Sequence, residues 1–275
     1  MKSLHIHSAF LIYGLFMLLS VELFSTENST QTDTLNDEMA KIPAGSYVPL
    51  YTTNKTPRKV ATFLLDKLPV TNRQYLAFVK QHPRWQKSKV SKLFADKSYL
   101  KNWDSDLSPG KNVRLDGPVT NVSWFAARAF AKFHNKRLPT VDEWEYVARA
   151  NESLTDATKD EKYTQVILNW YAAKAPKTLP SATTFKPNVY GIYAMHGLIW
   201  EWNDDFNNAM VTGESRGDSG LERNLFCAGG AVSSTDVRNY AAFMRFAFRS
   251  SLKGSYTTSS LGFRCARDIE KSTTQ

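Results

Sequence analysis

The sequence predicts a single, loop-rich α+β domain, on three observations. Two short apolar runs bounded by turn residues, Ile42-Pro-Ala-Gly-Ser-Tyr47 and Phe63-Leu-Leu-Asp66, read as strands at the start of the folded part. Three later segments carry helix-start signals followed by apolar residues at helical spacing. From residue 151 onward, turn residues, short apolar runs and tryptophans alternate without a long periodic element, which predicts packing by aromatics. A length of 275 residues suits one large domain.

The first helix follows Val70. In Thr71-Asn-Arg-Gln74 a hydroxyl at the N-cap and a glutamine three residues later can satisfy each other's free backbone donors. Tyr75, Leu76, Phe78 and Val79 form its apolar stripe, and Pro83 ends it. Residues 84–117 carry scattered aromatics with little periodicity and read as an irregular insertion. A second helix begins after Ser123, with Trp124, Ala127, Phe130, Ala131 and Phe133 at helical spacing. Thr140-Val-Asp-Glu143 is another capping box and opens a third helix, with Trp144, Val147 and Ala148 facing inward. The run Phe243-Met-Arg-Phe-Ala-Phe-Arg249 reads as a strand, placing Arg245 and Arg249 on one face.

The organisation predicted is a signal peptide or N-terminal anchor over 1–25, a polar linker over 26–38, a domain over 39–268 and a tail over 269–275. The uncharged stretch Ala9–Val21 is short for a membrane span and suits a secretory segment. Export, in the periplasm, follows from it, with membrane contact only through a retained anchor. The net charge is +9, but the lysines and arginines are spread along the chain rather than gathered in a nucleic-acid-binding stripe. Cys227 and Cys265 are the two cysteines, and an exported chain with two thiols points to a disulfide. Two separate buried thiols, or a copper or redox site, are the alternatives.

Five motifs follow in order: Pro118-Val-Thr-Asn-Val-Ser-Trp124; Lys136-Arg-Leu-Pro-Thr-Val-Asp-Glu-Trp-Glu-Tyr146; Asn188 to Trp202, ending Trp200-Glu-Trp202; Cys227-Ala-Gly-Gly230 followed by Arg245 and Arg249; and Leu261-Gly-Phe-Arg-Cys265. In this order they resemble the formylglycine-generating enzyme (sulfatase-modifying factor) family over roughly residues 39–267. The resemblance implies an irregular, C-type-lectin-related α+β fold. Within the family, Phe206-Asn-Asn-Ala-Met210, Ser215-Arg-Gly-Asp-Ser-Gly220 and Tyr240 to Leu252 look like the nitrite-reductase accessory (NirV-type) branch. That branch implies an exported partner polypeptide such as a copper nitrite reductase.

The oxidases of the family hold copper with two thiols just beyond the glycine pair, since soft thiolates suit Cu(I). Here Ser234 occupies the first of those positions, and the second falls within Asp236-Val-Arg-Asn239. Neither is cysteine, so the resemblance implies the fold without the formylglycine chemistry. An oxidoreductase with a relocated site on Cys227, His196 or Cys265 is the alternative. The family's calcium sites would map one cation to Glu201, Gly197 and Ile199, and a second to Asn169 and Trp170. Ala194 stands where the first site's asparagine belongs. Calcium is implied ahead of copper as a cofactor. A buried Glu201 bonded to backbone amides is the competing reading, as is an ion pair of Arg245 or Arg249 with Asp142, Glu143 or Glu145. Arg245 and Trp200 are the candidate ligand-binding side chains.

Overall fold

The computed structural model describes residues 38–50, 56–207 and 237–269, with the side chains of 237–239 left aside. The signal segment, most of the linker, Cys227, Ser234 and the end of the tail lie outside the described residues. Among the described residues no helix is long and apolar enough to cross a membrane.

The domain starts and finishes in one sheet. Strands β1 (Met39–Ile42), β2 (Gly45–Tyr47), β3 (Arg58–Val60) and β4 (Phe63–Asp66) come first. β1 lies antiparallel to β4, with Met39 opposite Asp66 and Ile42 opposite Phe63. The last strand among the described residues pairs antiparallel to the other edge of β4, with Phe63 opposite Asp268 and Leu65 opposite Ala266. Burial alternates along β1 and isolates Ala40 and Ile42 on the core side, as a strand with one solvated face requires.

The three predicted helices are present: α1 (Asn72–Gln81), α2 (Trp124–Phe133) and α3 (Val141–Ala148). Both capping boxes form: Thr71 accepts from the Gln74 amide and Thr140 from the Glu143 amide, and each N3 side chain bonds back. Ser123 caps α2 through the Ala126 amide. Between α1 and α2 lie the short antiparallel strands β5 (Trp103–Ser105) and β6 (Ser108–Pro109). That irregular stretch is tied down by one side chain. Asn72 is buried, donates to the carbonyls of Arg114, Gly117 and Pro118, and accepts from the Trp103 indole at 3.2 Å.

Two elements differ from expectation. Helix α4 (Glu161–Ala172) occupies a region read as irregular. Its N-cap, Asp160, accepts from the Lys162 and Tyr163 amides, but only Thr164 and Ile167 are buried, so its apolar stripe is thin. The stretch read as a strand around Phe243–Arg249 lies inside helix α5 (Val237–Ser250). Arg245 and Arg249 share a face there as an i, i+4 pair. The remaining strands are β7 (Trp200–Glu201), β8 (Leu261–Gly262) and β9 (Ala266–Asp268). β7 and β8 pair in parallel, Trp200 opposite Leu261 and Glu201 opposite Gly262. A Cβ at Gly262 would lie 2.3 Å from the Val119 carbonyl oxygen, so only glycine fits that crossing.

The core has two parts. One gathers α1, α2 and the C-terminal strands around Tyr75, Phe78, Phe130, Trp103, Trp202 and Phe263. The other packs α3 under the sheet through Ile42, Phe63, Leu65, Trp144 and Val147. The regular elements are short, and large aromatic side chains supply much of the buried apolar area.

Candidate functional site

The parallel register of β7 and β8 brings two motifs together. Glu201 and Arg264 both have fully buried side chains, and the guanidinium grips the carboxylate with two bonds of 2.8 Å. The Trp144 indole donates to the same carboxylate at 2.8 Å. Arg264 also donates to the Tyr193 carbonyl at 2.9 Å. Glu201 is thus buried as expected, but side-chain donors hold it in place of backbone amides. Both its oxygens point at a cation the protein supplies itself. Gly197 has φ +95°, and the ring of Phe185 lies 3.0 Å from where its Cβ would stand; Ile199 is fully buried. Asn169 is exposed on α4 and accepts from Gln165 at 2.8 Å. Among the described residues no three His, Cys, Asp or Glu side chains converge as a metal set.

A second charged cluster anchors α5. Arg245 holds Glu145 with two bonds of 2.8 Å, and Arg249 reaches the same carboxylate at 2.6 Å. Arg249 also donates to the Asn203 side-chain oxygen at 3.0 Å. Of the three carboxylates considered for these arginines, Glu145 is the one engaged. Burial works to raise the Glu145 carboxyl, but the two guanidinium charges overcome it and hold the group below the usual carboxylate range. Arg245 is therefore committed to an internal ion pair.

His196 borders this cluster. It is only partly buried, but its Nδ1 is fully covered and has no hydrogen-bond partner. Nε2 lies 3.1 Å from the Ala148 carbonyl, which calls for the proton on Nε2 and a lone pair on Nδ1. The ring lines a cavity of about 30 Å³ together with Tyr47, Glu145, Tyr163 and Arg245. Burial, then the charge on Arg245, pushes its pKa down to about 3. The neighbouring guanidinium works against a metal cation at this imidazole.

Cys265 is fully buried in the aromatic core, and its backbone amide donates to Asp66 at 2.9 Å. Burial, then the Asp66 carboxylate, pushes its thiol well up, so it is kept as a thiol. Asp66 is in turn held by Lys136 at 2.6 Å. Cys227 lies outside the described residues, so the structure does not bear on the pairing.

A larger recess, a cleft of about 610 Å³, is lined in part by Trp200. One wall is the irregular stretch that Asn72 ties down, contributing Asn102 and Lys111; the other is the end of α4 and the loop beyond it, contributing Trp170, Tyr171, Lys174 and Lys177. Trp200 stacks with Tyr171 at 5.0 Å and with Phe248 at 4.4 Å, and Trp170 tilts against it at 5.1 Å. The tryptophan is therefore clamped by neighbouring rings and offers the cleft little free face. Asn102 Oδ1 is covered and has no hydrogen-bond partner. Trp200 and Trp170 are thus brought together, while Arg245 and His196 belong to the small cavity. Sequence reasoning missed Asn102, Lys111 and the α4 wall; the Asp160 cap and the helical spacing of Tyr163, Val166, Ile167, Trp170 and Tyr171 were the local signals that could have found α4.

The described geometry fits what the chain is similar to. A family model described as the sulfatase-modifying factor enzyme 1-like domain matches residues 25–269. The inactive Cα-formylglycine-generating enzyme 2 of Bos taurus is 30% identical over 179 residues, covering 52% of this chain and 60% of that protein. The formylglycine-generating enzyme of Bos taurus is 33% identical over 186 residues, covering 61% of this chain and 49% of that protein. That of Streptomyces coelicolor is 28% identical over 272 residues, covering 83% of each chain. The match thus spans about half to three-fifths of the length of the two bovine relatives.

Proposed function

The chain belongs to the sulfatase-modifying factor enzyme 1-like domain family, and on that premise we propose that it is a non-catalytic accessory protein that holds a partner polypeptide in the cleft beside Trp200. The observation that carries this reading is the cleft itself. Its volume of about 610 Å³ is that of a ligand site, and Trp170, Tyr171 and Trp200 line it beside the polar side chains of Asn102, Asn112 and Ser260. An extended segment brings both backbone N–H donors and carbonyl acceptors to such a mixed aromatic and polar surface. The sequence supports the lack of catalysis, because Ser234 and Asp236–Asn239 supply no thiol where the copper-binding pair would stand. One of the similar proteins is itself described as inactive.

The client we propose is an exported respiratory copper enzyme such as a nitrite reductase, met in the periplasm, on the sequence resemblance to the nitrite-reductase accessory branch. Affinity capture with the tagged chain from cells respiring nitrite should recover that enzyme, and deletion of the gene should lower its copper content. Capture without the enzyme, with nitrite reduction intact in the deletion strain, would sink the proposal.

A further inference from the structure

Three lysines on its lining give the cleft a positive rim. The buried guanidinium groups of Arg264, Arg245 and Arg249 are paired, the first with Glu201 and the other two with Glu145. Even at the rim, Arg114 is paired with Asp116 at 2.7 Å. The lysines are different. Lys111, Lys174 and Lys177 line the cleft from both walls, are exposed, and form no ion pair among the described residues. Asp104 is the one acid among the described residues lining the recess. Three unpaired ammonium groups around one concave surface raise the local potential, and low-dielectric walls focus it.

We propose that the cleft selects its polypeptide by charge, taking an extended segment rich in aspartate and glutamate through Lys111, Lys174 and Lys177. This rests on the peptide-holding reading above and adds the chemistry of the segment held. Size and polarity favour a polypeptide over a simple anion. The recess is far larger than an inorganic ion, and its lining carries the amide and hydroxyl side chains of Asn102, Asn112, Thr120 and Ser260, which a peptide backbone can both donate to and accept from. The three lysines share the lining with the aromatic side chains of Trp170 and Tyr171. A segment that alternates acidic with apolar side chains would meet both.

The test uses the full-length chain and three labelled peptides read by fluorescence anisotropy. One alternates aspartate with leucine and glycine, one carries asparagine in place of each aspartate, and one carries lysine there. An oligosaccharide of uronic acids serves as a competing polyanion. At low ionic strength the aspartate peptide should bind about tenfold more tightly than the asparagine peptide, and the gap should shrink as salt is added. Changing Lys111, Lys174 and Lys177 together to glutamate should abolish that preference and leave the melting temperature unchanged, since all three are exposed. If all three peptides bind alike, charge selection is overturned while the peptide-holding reading survives. A preference that persists in the triple variant places the selecting charges elsewhere and also overturns the proposal. So does binding of the uronate with no binding of the aspartate peptide. No binding of any peptide brings down both readings.

Discussion

The Glu201–Arg264 and Glu145–Arg245–Arg249 clusters and the Trp200 cleft are built on opposite terms. In the clusters every carboxylate oxygen meets a guanidinium or an indole, and the side chains are buried or nearly so. In the cleft an amide oxygen is unpartnered, lysines stand unpaired, and the walls come from an irregular segment and a thinly buried helix. The difference teaches where to look for binding in this fold. The most conspicuous charges, in the motifs that first attract attention, hold the structure together. The unpaired lysines of the cleft lie outside those motifs, although the unpartnered ring nitrogen of His196 lies within one of them.

The contrast can be broken from the inside first. Arg264→Met leaves Glu201 buried beside one indole donor, and loss of one partner of a buried pair costs about 3–5 kcal/mol. Chemical denaturation should show a loss of that size. A loss within the range of an exposed pair would mean that the cluster is not the internal anchor described.

Glu145→Gln should cost somewhat less, about 3 kcal/mol, because two guanidinium groups remain but keep Asn203 and Tyr171 as acceptors. Its acid dependence has a definite sign. The folded carboxyl is held below its ordinary range, so its contribution is full at neutral pH, begins to fall as pH enters that range and is lost only as pH drops below it through the folded value. Unfolding followed from pH 7 downward should show a shallower acid limb in Glu145→Gln than in the parent.

His196 gives the next effect. The unfolded imidazole takes a proton near its ordinary value of about 6.5, whereas the folded one resists to about 3. Its contribution is therefore full above that upper value and falls by up to about 1.4 kcal/mol per pH unit below it. His196→Gln should flatten that part of the stability profile. An unchanged slope would mean that the imidazole titrates freely and that the small cavity is open to solvent.

Much of the frame was legible because it is written in local signals. Thr71-Gln74, Ser123 and Thr140-Glu143 mark helix starts by chemistry that acts within one turn, and all three helices begin there. The family was legible through ordered motifs. What was not legible depends on distant partners. The Phe243–Arg249 run alternates well enough to pass as a strand, and the i, i+4 spacing of its arginines acquires meaning only once Glu145 sits opposite. Glu201 was read as a carboxylate in need of amides or calcium, because the parallel β7–β8 register that delivers Arg264 cannot be seen in either motif alone. The cleft was invisible for the same reason: Asn72 folds an unpatterned stretch into a wall through three carbonyls more than forty residues away.

The smallest expected effect sharpens the contrast from the outside. Lys111→Gln, Lys174→Gln and Lys177→Gln, singly, should each shift stability by less than about 0.5 kcal/mol, as exposed unpaired charges do. A larger loss in any of them would show that the rim is structural after all.

The measurement that bears most directly on the account is photo-crosslinking from position 102 in living cells respiring nitrite, with the adduct read by mass spectrometry. The account predicts an adduct to one exported polypeptide whose cysteines are recovered as cysteine. No polypeptide adduct, or an adduct carrying an aldehyde in place of a cysteine, would contradict it.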